Sequence, residues 1–308
     1  MTGLPVIFSP RYEVDIGEHV FRTEKFRGVY ERIRKSKWAS CAVFYEPPDL
    51  PWDEFAGFLT DDYLNDLQNA RESYATLRSE LPVRSDIIQS QKLSAGGTSL
   101  TLTLAWTSGC AVHLGGGFHH AYPDHAEGFC YINDIAFAIH KALKQEKIRK
   151  ALVVDCDLHQ GNGTAAYFSS NPFVFTFSMH QGWLYPIPKE RSSLDIELAI
   201  HTPDEEYLLL LQNALEQISR RFEPDIVVYQ AGVDIYEEDL LGSLKITRSG
   251  LQKRDEMVLS WAKGRSVPVV ITMGGGYPPS AETLIDLHFQ TVETAFQLFC
   301  PEHITSAQ

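Results

Sequence analysis

The chain has 308 residues, 44% hydrophobic and 22% charged, which excludes a disordered, fibrous or coiled-coil protein and leaves room for a large buried core. Its 27 lysines and arginines against 40 acids give a formal charge of -13 and a pI near 5.3, with no block of basic residues. That balance argues against direct binding of a nucleic-acid backbone, which needs a positive surface.

Leu4 to Phe8 is a short apolar run ended by Ser9 and Pro10 and reads as a first strand. Phe26, Val29, Tyr30 and Ile33 recur at helical spacing within Thr23 to Arg34, whereas Trp38 to Asp53, with its prolines, reads as irregular. Thr60 before Asp61 and Asp62 predicts a helix start, the hydroxyl capping free amides and the acids sitting at the positive end. Apolar residues continue from there at Tyr63, Leu64, Leu67, Tyr74 and Leu77. Ser99 to Ala105, SLTLTLA, alternates as a strand does, yet it follows Gly96 and Gly97 without a strand turn, so strand and helix both stay open.

Cys110 to Leu114 predicts a strand stopped by glycines, and Ile132 to Leu143 a helix. Ala151 to Val154 is a strand that breaks into Asp155, and Pro172 to Phe177 is another. Asp204 to Phe222 reads as a long helix and Ile226 to Tyr229 as a strand. A helix over Leu251 to Lys263, a strand over Val267 to Thr272 and a last helix over Ala281 to Phe299 complete the series. Strands this uniformly apolar have no wet face, so the expected fold is α/β, an open parallel sheet with helices on both faces. No linker, low-complexity tract or internal repeat divides the chain, and residues 1–308 are expected to form one domain.

The five cysteines, Cys41, Cys110, Cys130, Cys156 and Cys300, are odd in number and widely spaced, which fits neither a disulfide framework nor a four-cysteine zinc site. With no leader-like start and no membrane-length apolar run, the expectation is a cytoplasmic protein that does not enter a membrane.

Four polar clusters lie just past predicted strands, where open α/β sheets bind ligands: Gly115 to Asp134, Val153 to Gly163, Tyr229 to Asp234 and Thr272 to Tyr277. In Asp155-Cys156-Asp157-Leu158-His159 an extended chain puts two carboxylates and an imidazole on one side, and burying that charge needs a cation. The bland alternative has Asp155 capping a turn and Asp157 pairing with a surface base. Asp234 alone would be a turn aspartate; beside the first cluster it becomes a third ligand. Two carboxylates and one imidazole leave open positions on zinc, although iron or manganese suits the same donors. His119 and His120 are adjacent, so they fit proton handling beside a metal better than joint ligation, or else a hydrogen-bonded core. Tyr277, after Gly274, Gly275 and Gly276, could donate to a developing oxyanion or simply pack its ring.

GGGFHHA, EGFCYINDI, DCDLHQGNG, AGVDIYEEDLLG and GGGY, in this order and spacing from about Val6 to Gln297, resemble the zinc-dependent histone deacetylase family, with its bacterial acetylpolyamine- and acetoin-utilisation relatives. DLHQGNG, VVYQAGVDI followed by EDLLG, and VPVVITMGGGY are most similar to the class IV branch. The resemblance implies an arginase/deacetylase-like fold, and it favours a helix over Ser99 to Ala105. It implies hydrolysis of an Nε-acyl-lysine amide in a protein or peptide, acetyl or longer, with an acylpolyamine as the alternative substrate.

Carried over by motif, Asp157, His159 and Asp234 resemble the zinc ligands. His120 resembles the general base and acid, His119 its tandem partner hydrogen-bonded to Asp155, and Tyr277 the phenol that polarises the acyl carbonyl. Gly117, Phe129, His180 and Gly275 resemble residues of the acyl-lysine channel. The family's structural potassium ion would take Asp155, Asp157, His159, Ser178 and the backbone oxygen of Met179. Three positions depart from the pattern. Asn162 stands where class I members carry aspartate, so the partner of His120 is neutral and raises its basicity less. Met273 replaces the first of four glycines, and Tyr185 to Asp195 lacks the usual Pro-Gly-Thr-Gly loop. The competing readings are a two-manganese ureohydrolase on a related fold and a catalytically silent acyl-lysine-binding scaffold.

Overall fold

The structure, a computed structural model, describes residues 3–300. Its strands are β1 (Leu4–Ile7), β2 (Ala42–Tyr45), β3 (Cys110–His113), β4 (Ala151–Asp155), β5 (Val174–Gln181), β6 (Leu194–Leu198), β7 (Ile226–Gln230) and β8 (Val269–Thr272). They form one all-parallel sheet in the order β2-β1-β3-β8-β7-β4-β5-β6. Every residue of β1, β3, β4, β5, β7 and β8 is buried, which is why these segments are mostly apolar runs without alternation, β5 excepted, where Phe175, Phe177 and Met179 alternate with Thr176, Ser178 and His180.

The helices are α1 (Glu24–Lys35), α2 (Asp61–Gln68), α3 (Tyr74–Leu77), α4 (Ser85–Ser108), α5 (Asp134–Lys144), α6 (Asn162–Phe168), α7 (Asp204–Arg221), α8 (Arg248–Gly264) and α9 (Ala281–Phe299). One layer joins α1, α9, α8 and α7 in succession, and the other joins α2, α4, α5 and α6. The sheet is thus sandwiched in an α/β architecture. Among the described residues no helix is long and apolar enough to cross a membrane.

Several elements differ from the sequence reading. SLTLTLA lies inside the 24-residue helix α4. Its threonines bond backward along the helix, Thr101 Oγ1 donating to the Gly97 carbonyl at 2.7 Å and Thr103 Oγ1 to that of Ser99 at 3.1 Å. A helix buried over most of its surface has no amphipathic period to read. The irregular segment contains β2, whose AVFY pairs with β1 at a half-exposed sheet edge. The pattern from Thr60 to Leu77 breaks after Gln68 and resumes as α3, and Thr60 makes no side-chain capping bond, although Asp61 and Asp62 do sit in the first turn of α2. β5 runs on to Gln181, and β6 and α6 have no counterpart in the periodicity.

Register sets up the site. Asp155 lies opposite Ser178 on one side and Gln230 on the other, Gln230 lies opposite Thr272, and Thr272 opposite His113. The carboxyl ends of β3, β8, β7 and β4 are therefore flush, with β5 running three residues further, and the polar clusters that follow these four strands leave the sheet side by side.

Candidate metal centre and active site

Asp157 and His159 leave β4, and Asp234 leaves β7, its neighbour in the sheet. All three are buried, and each offers one ligand atom within 4.8 Å of the others. His159 Nδ1 stands 3.2 Å from Asp234 Oδ2 and 3.4 Å from Asp157 Oδ1. Backbone amides aim the carboxylates: Gly275 N–H donates to Asp157 Oδ2 at 2.8 Å, and Leu158 N–H to Asp234 Oδ1 at 2.8 Å. Gly275 must be glycine, because a Cβ there would lie 2.3 Å from Asp234 Oδ2. Burial, then Asp157, pushes the Asp234 carboxyl up to about 6, while the two aspartates outweigh burial and hold His159 up at about 10. Such mutual dependence is what a cation relieves, and the Asp-His-Asp donor set fits zinc with room for further ligands.

His119 and His120 follow β3. His119 Nδ1 donates to Asp155 Oδ2 at 2.8 Å, and its Nε2 lies 3.1 Å from His120 Nε2. Against burial, Asp155 and Asp157 raise His119 to about 9; burial, then His119 and His159, depress His120 well below its ordinary value. The two carboxylates thus favour a proton on His119, while burial and its histidine neighbours disfavour one on His120. Asn162, the first residue of α6, accepts from His120 Nδ1 at 2.7 Å and donates to Glu127 Oε1 at 2.7 Å.

Tyr277 follows β8 and lies across the cavity, its ring 6.5 Å from that of His159 and 6.0 Å from that of Phe129. Its backbone N–H donates to Asp239 Oδ2 at 2.7 Å, and Leu241 N–H donates to Asp239 Oδ1 at 2.9 Å. Burial, then Asp234, drives the Tyr277 phenol well above its usual range, so it is a neutral donor. Phe129 holds a left-handed φ of 68°, fixed by its N–H donating to the Ser79 carbonyl at 2.8 Å. Phe129, Tyr185, Leu184, Leu241 and Tyr277 line an outer cavity of about 280 Å³ that ends on His120 and His159. Gly117, with φ 116°, and Gly275 line a smaller inner cavity of about 30 Å³ together with Asp157 and His159.

His180 does not reach either cavity. It is fully buried, Nδ1 bonded to Ser178 Oγ at 2.9 Å, because β5 continues past Phe177 and turns its side chain into the protein. Asp155 and Ser178 face each other across β4 and β5, with Met179 next along, so the proposed potassium donors are neighbours.

Five contributors escaped the sequence reading. Lys25 of α1 is buried at the inner cavity, its Nζ donating to the Gly274 carbonyl; burial, against Asp157 and Asp234, lowers it to about 8. The signal was a lysine on the same stripe as Val29 and Ile33. Tyr185, 5.2 Å ring to ring from His120, lay in the segment whose family loop is missing. Glu127 and Asp239 act through hydrogen bonds that no spacing reveals. Arg254 of α8 is wholly buried, paired with Asp255, and donates to the Gly232 carbonyl behind the metal ligands.

The histone deacetylase domain profile matches residues 19–292. A protein of Picosynechococcus described as uncharacterized is 37% identical over 290 residues, covering 93% of this chain and 96% of its own. Histone deacetylase 2 of Arabidopsis thaliana is 30% identical over 300 residues, 92% of this chain and 77% of its own. Acetoin utilization protein AcuC of Bacillus subtilis is 30% identical over 298 residues, 88% and 76% respectively. These matches run through all four strand-end clusters and cover most of both chains, and on that span the chain belongs to the histone deacetylase family, as a deacetylase-type hydrolase.

Proposed function

We propose that the protein is a zinc-dependent deacylase that hydrolyses the Nε-acyl-lysine amide of proteins or peptides, acetyl or longer. The observation that carries this reading is that His120, His159 and Tyr277 line one aromatic-walled cavity, while Asp157 and Asp234 each bring a ligand atom within 4.8 Å of that of His159. The chain would act as one catalytic domain over residues 1–308, in the cytoplasm, with a potassium ion held by Asp155, Asp157, His159, Ser178 and the Met179 carbonyl.

Asp157, His159 and Asp234 would hold the zinc, which when bound supplies Lewis acidity toward the acyl carbonyl and a water molecule. Phe129 and Tyr185 would flank the lysine side chain. His120 Nε2 would take the proton of the attacking water as the new C–O bond forms. The Tyr277 hydroxyl would donate to the oxygen that gains negative charge. As the C–N bond breaks, His120 would return the proton to the departing amine, and His119, charged and tied to Asp155, would keep the ring in place. The products are a carboxylate and a free amine. The alternative substrate, an acylpolyamine, presents the same amide on a narrower cation.

The deciding experiment incubates zinc-loaded and chelator-treated protein with lysine peptides bearing acyl chains of graded length and with acetylpolyamines, reading products by mass spectrometry. Turnover of acyl-lysine peptides, lost on chelation and restored by zinc, is the expected result. Turnover confined to polyamines would replace the substrate, and turnover of neither would overturn the proposal.

A further inference from the structure

Asn162 gives His120 a neutral partner, yet the structure places a carboxylate one link further out. Glu127 is 9% exposed and opens the tight turn that carries Phe129. Its Oε1 accepts from Asn162 Nδ2 at 2.7 Å, and its Oε2 pairs with Arg78 and lies 3.5 Å from His125 Nε2. Asn162 Nδ2 also donates to the Tyr122 hydroxyl at 3.2 Å. An ionised carboxylate only accepts hydrogen bonds, so Glu127 fixes which end of the Asn162 amide faces it. The amide NH₂ must point to Glu127, the amide oxygen must point to His120, and His120 Nδ1 must carry the proton. Nε2 is then left with its lone pair, within reach of His119 Nε2 at 3.1 Å and of the cavity.

We propose that Glu127 is a positioning residue that sets the His120 tautomer through Asn162, and so keeps Nε2 available as a base. The arrangement is an aspartate–histidine pair with the charge moved one hydrogen bond outward. Burial opposes the ionised form of Glu127, but His125, Asn162 and Arg78 together hold it down at about 2. In Glu127→Gln, Arg78 is a donor only and claims the new amide oxygen, which turns the NH₂ of residue 127 toward Asn162. Asn162 then flips, its NH₂ meets His120 Nδ1, and the proton moves to Nε2, where it blocks proton acceptance and obliges His119 to give up its own Nε2 proton or turn away. Adding Asn162→Asp to Glu127→Gln exchanges amide and carboxylate while keeping the bonds from His120 to residue 162 and between residues 162 and 127, with the Tyr122 hydroxyl turning from Glu190 to donate to residue 162, so the tautomer is restored although Arg78 still lacks its ion pair.

The consequence for turnover rests on the deacylase reading; the tautomer does not. We would record ring ¹⁵N spectra of histidine-labelled protein, with His120→Gln identifying the His120 signals, and assay acyl-lysine hydrolysis in parallel. The Nδ1–H form is expected in the unmutated protein, the Nε2–H form in Glu127→Gln, and the Nδ1–H form again in Glu127→Gln/Asn162→Asp. Turnover should fall by up to about 10²-fold in the single variant, the scale of a lost general base, and recover in the double variant. A Glu127→Gln protein that keeps the Nδ1–H form, or a double variant that stays in the Nε2–H form, overturns the proposal. If the unmutated protein hydrolyses none of the substrates, the deacylase reading fails, and the spectra still decide the role of Glu127.

Discussion

Tyr277 has its phenol kept neutral by burial and its backbone pinned by Asp239. Tyr277→Phe keeps the ring and the Asp239 contact and removes only the donor. It should lower kcat by about 10²- to 10³-fold, the scale of a lost oxyanion donor, with zinc content and unfolding midpoint unchanged. Near-full turnover in that variant would remove Tyr277 from the chemistry. The ligand candidates and Tyr277 were legible in the sequence because each follows a strand that ends abruptly in polar residues. Lys25, Glu127 and Asp239 were not. Their partners, Gly274, Asn162 and the Tyr277 amide, are remote in the chain, and only packing brings them together.

At the scale of elements, α4 shows what periodicity misses and what it costs to disturb. The helix passes so close to β3 that a Cβ on Gly97 would lie 2.3 Å from His113 Nε2 and 2.4 Å from the Tyr12 hydroxyl. Tyr12 O–H bonds to His113 Nε2 at 2.7 Å, His113 Nδ1 lies 2.8 Å from Thr98 Oγ1, and Thr98 donates to Asp134. Asp134 in turn accepts the Phe118 amide at 2.7 Å and shapes the glycine loop before His119. Gly97→Ala should therefore destabilise the protein by about 1–3 kcal/mol, read from urea unfolding, and reduce turnover as well, since the strain falls on that chain of bonds. An unchanged midpoint would mean that the helix shifts freely. Strand β2 and helix α6 were illegible for a different reason: each is too short for a period to establish itself, and pairing or packing with distant segments decides it.

For the molecule as a whole, buried neutral histidines set the acid limit. Burial holds His113 down at about 3, whereas an unfolded chain protonates it near its ordinary 6.5. Between those values the unfolded state binds the extra proton, so stability is full above about pH 6.5 and declines as pH falls toward 3. The slope from His113 is up to about 1.4 kcal/mol per pH unit. Urea unfolding of the unmutated protein and His113→Asn from pH 7 to pH 5 should give a shallower pH slope in the variant, and equal slopes would contradict a neutral His113. Composition and uniform apolar runs made the α/β class legible, but not the strand order, because it is decided by pairings remote in the chain, such as Cys110 with Val269.

That order carries its own timetable. β8, close to the carboxyl end, inserts between β3 and β7. A chain emerging amino end first must hold a β2-β1-β3 ribbon and a β7-β4-β5-β6 ribbon apart until the wedge arrives. Asp157, His159 and Asp234 all follow strands of the second ribbon, so the candidate ligands are synthesised before Tyr277, which follows β8. On the proposed mechanism, turnover waits for that last strand.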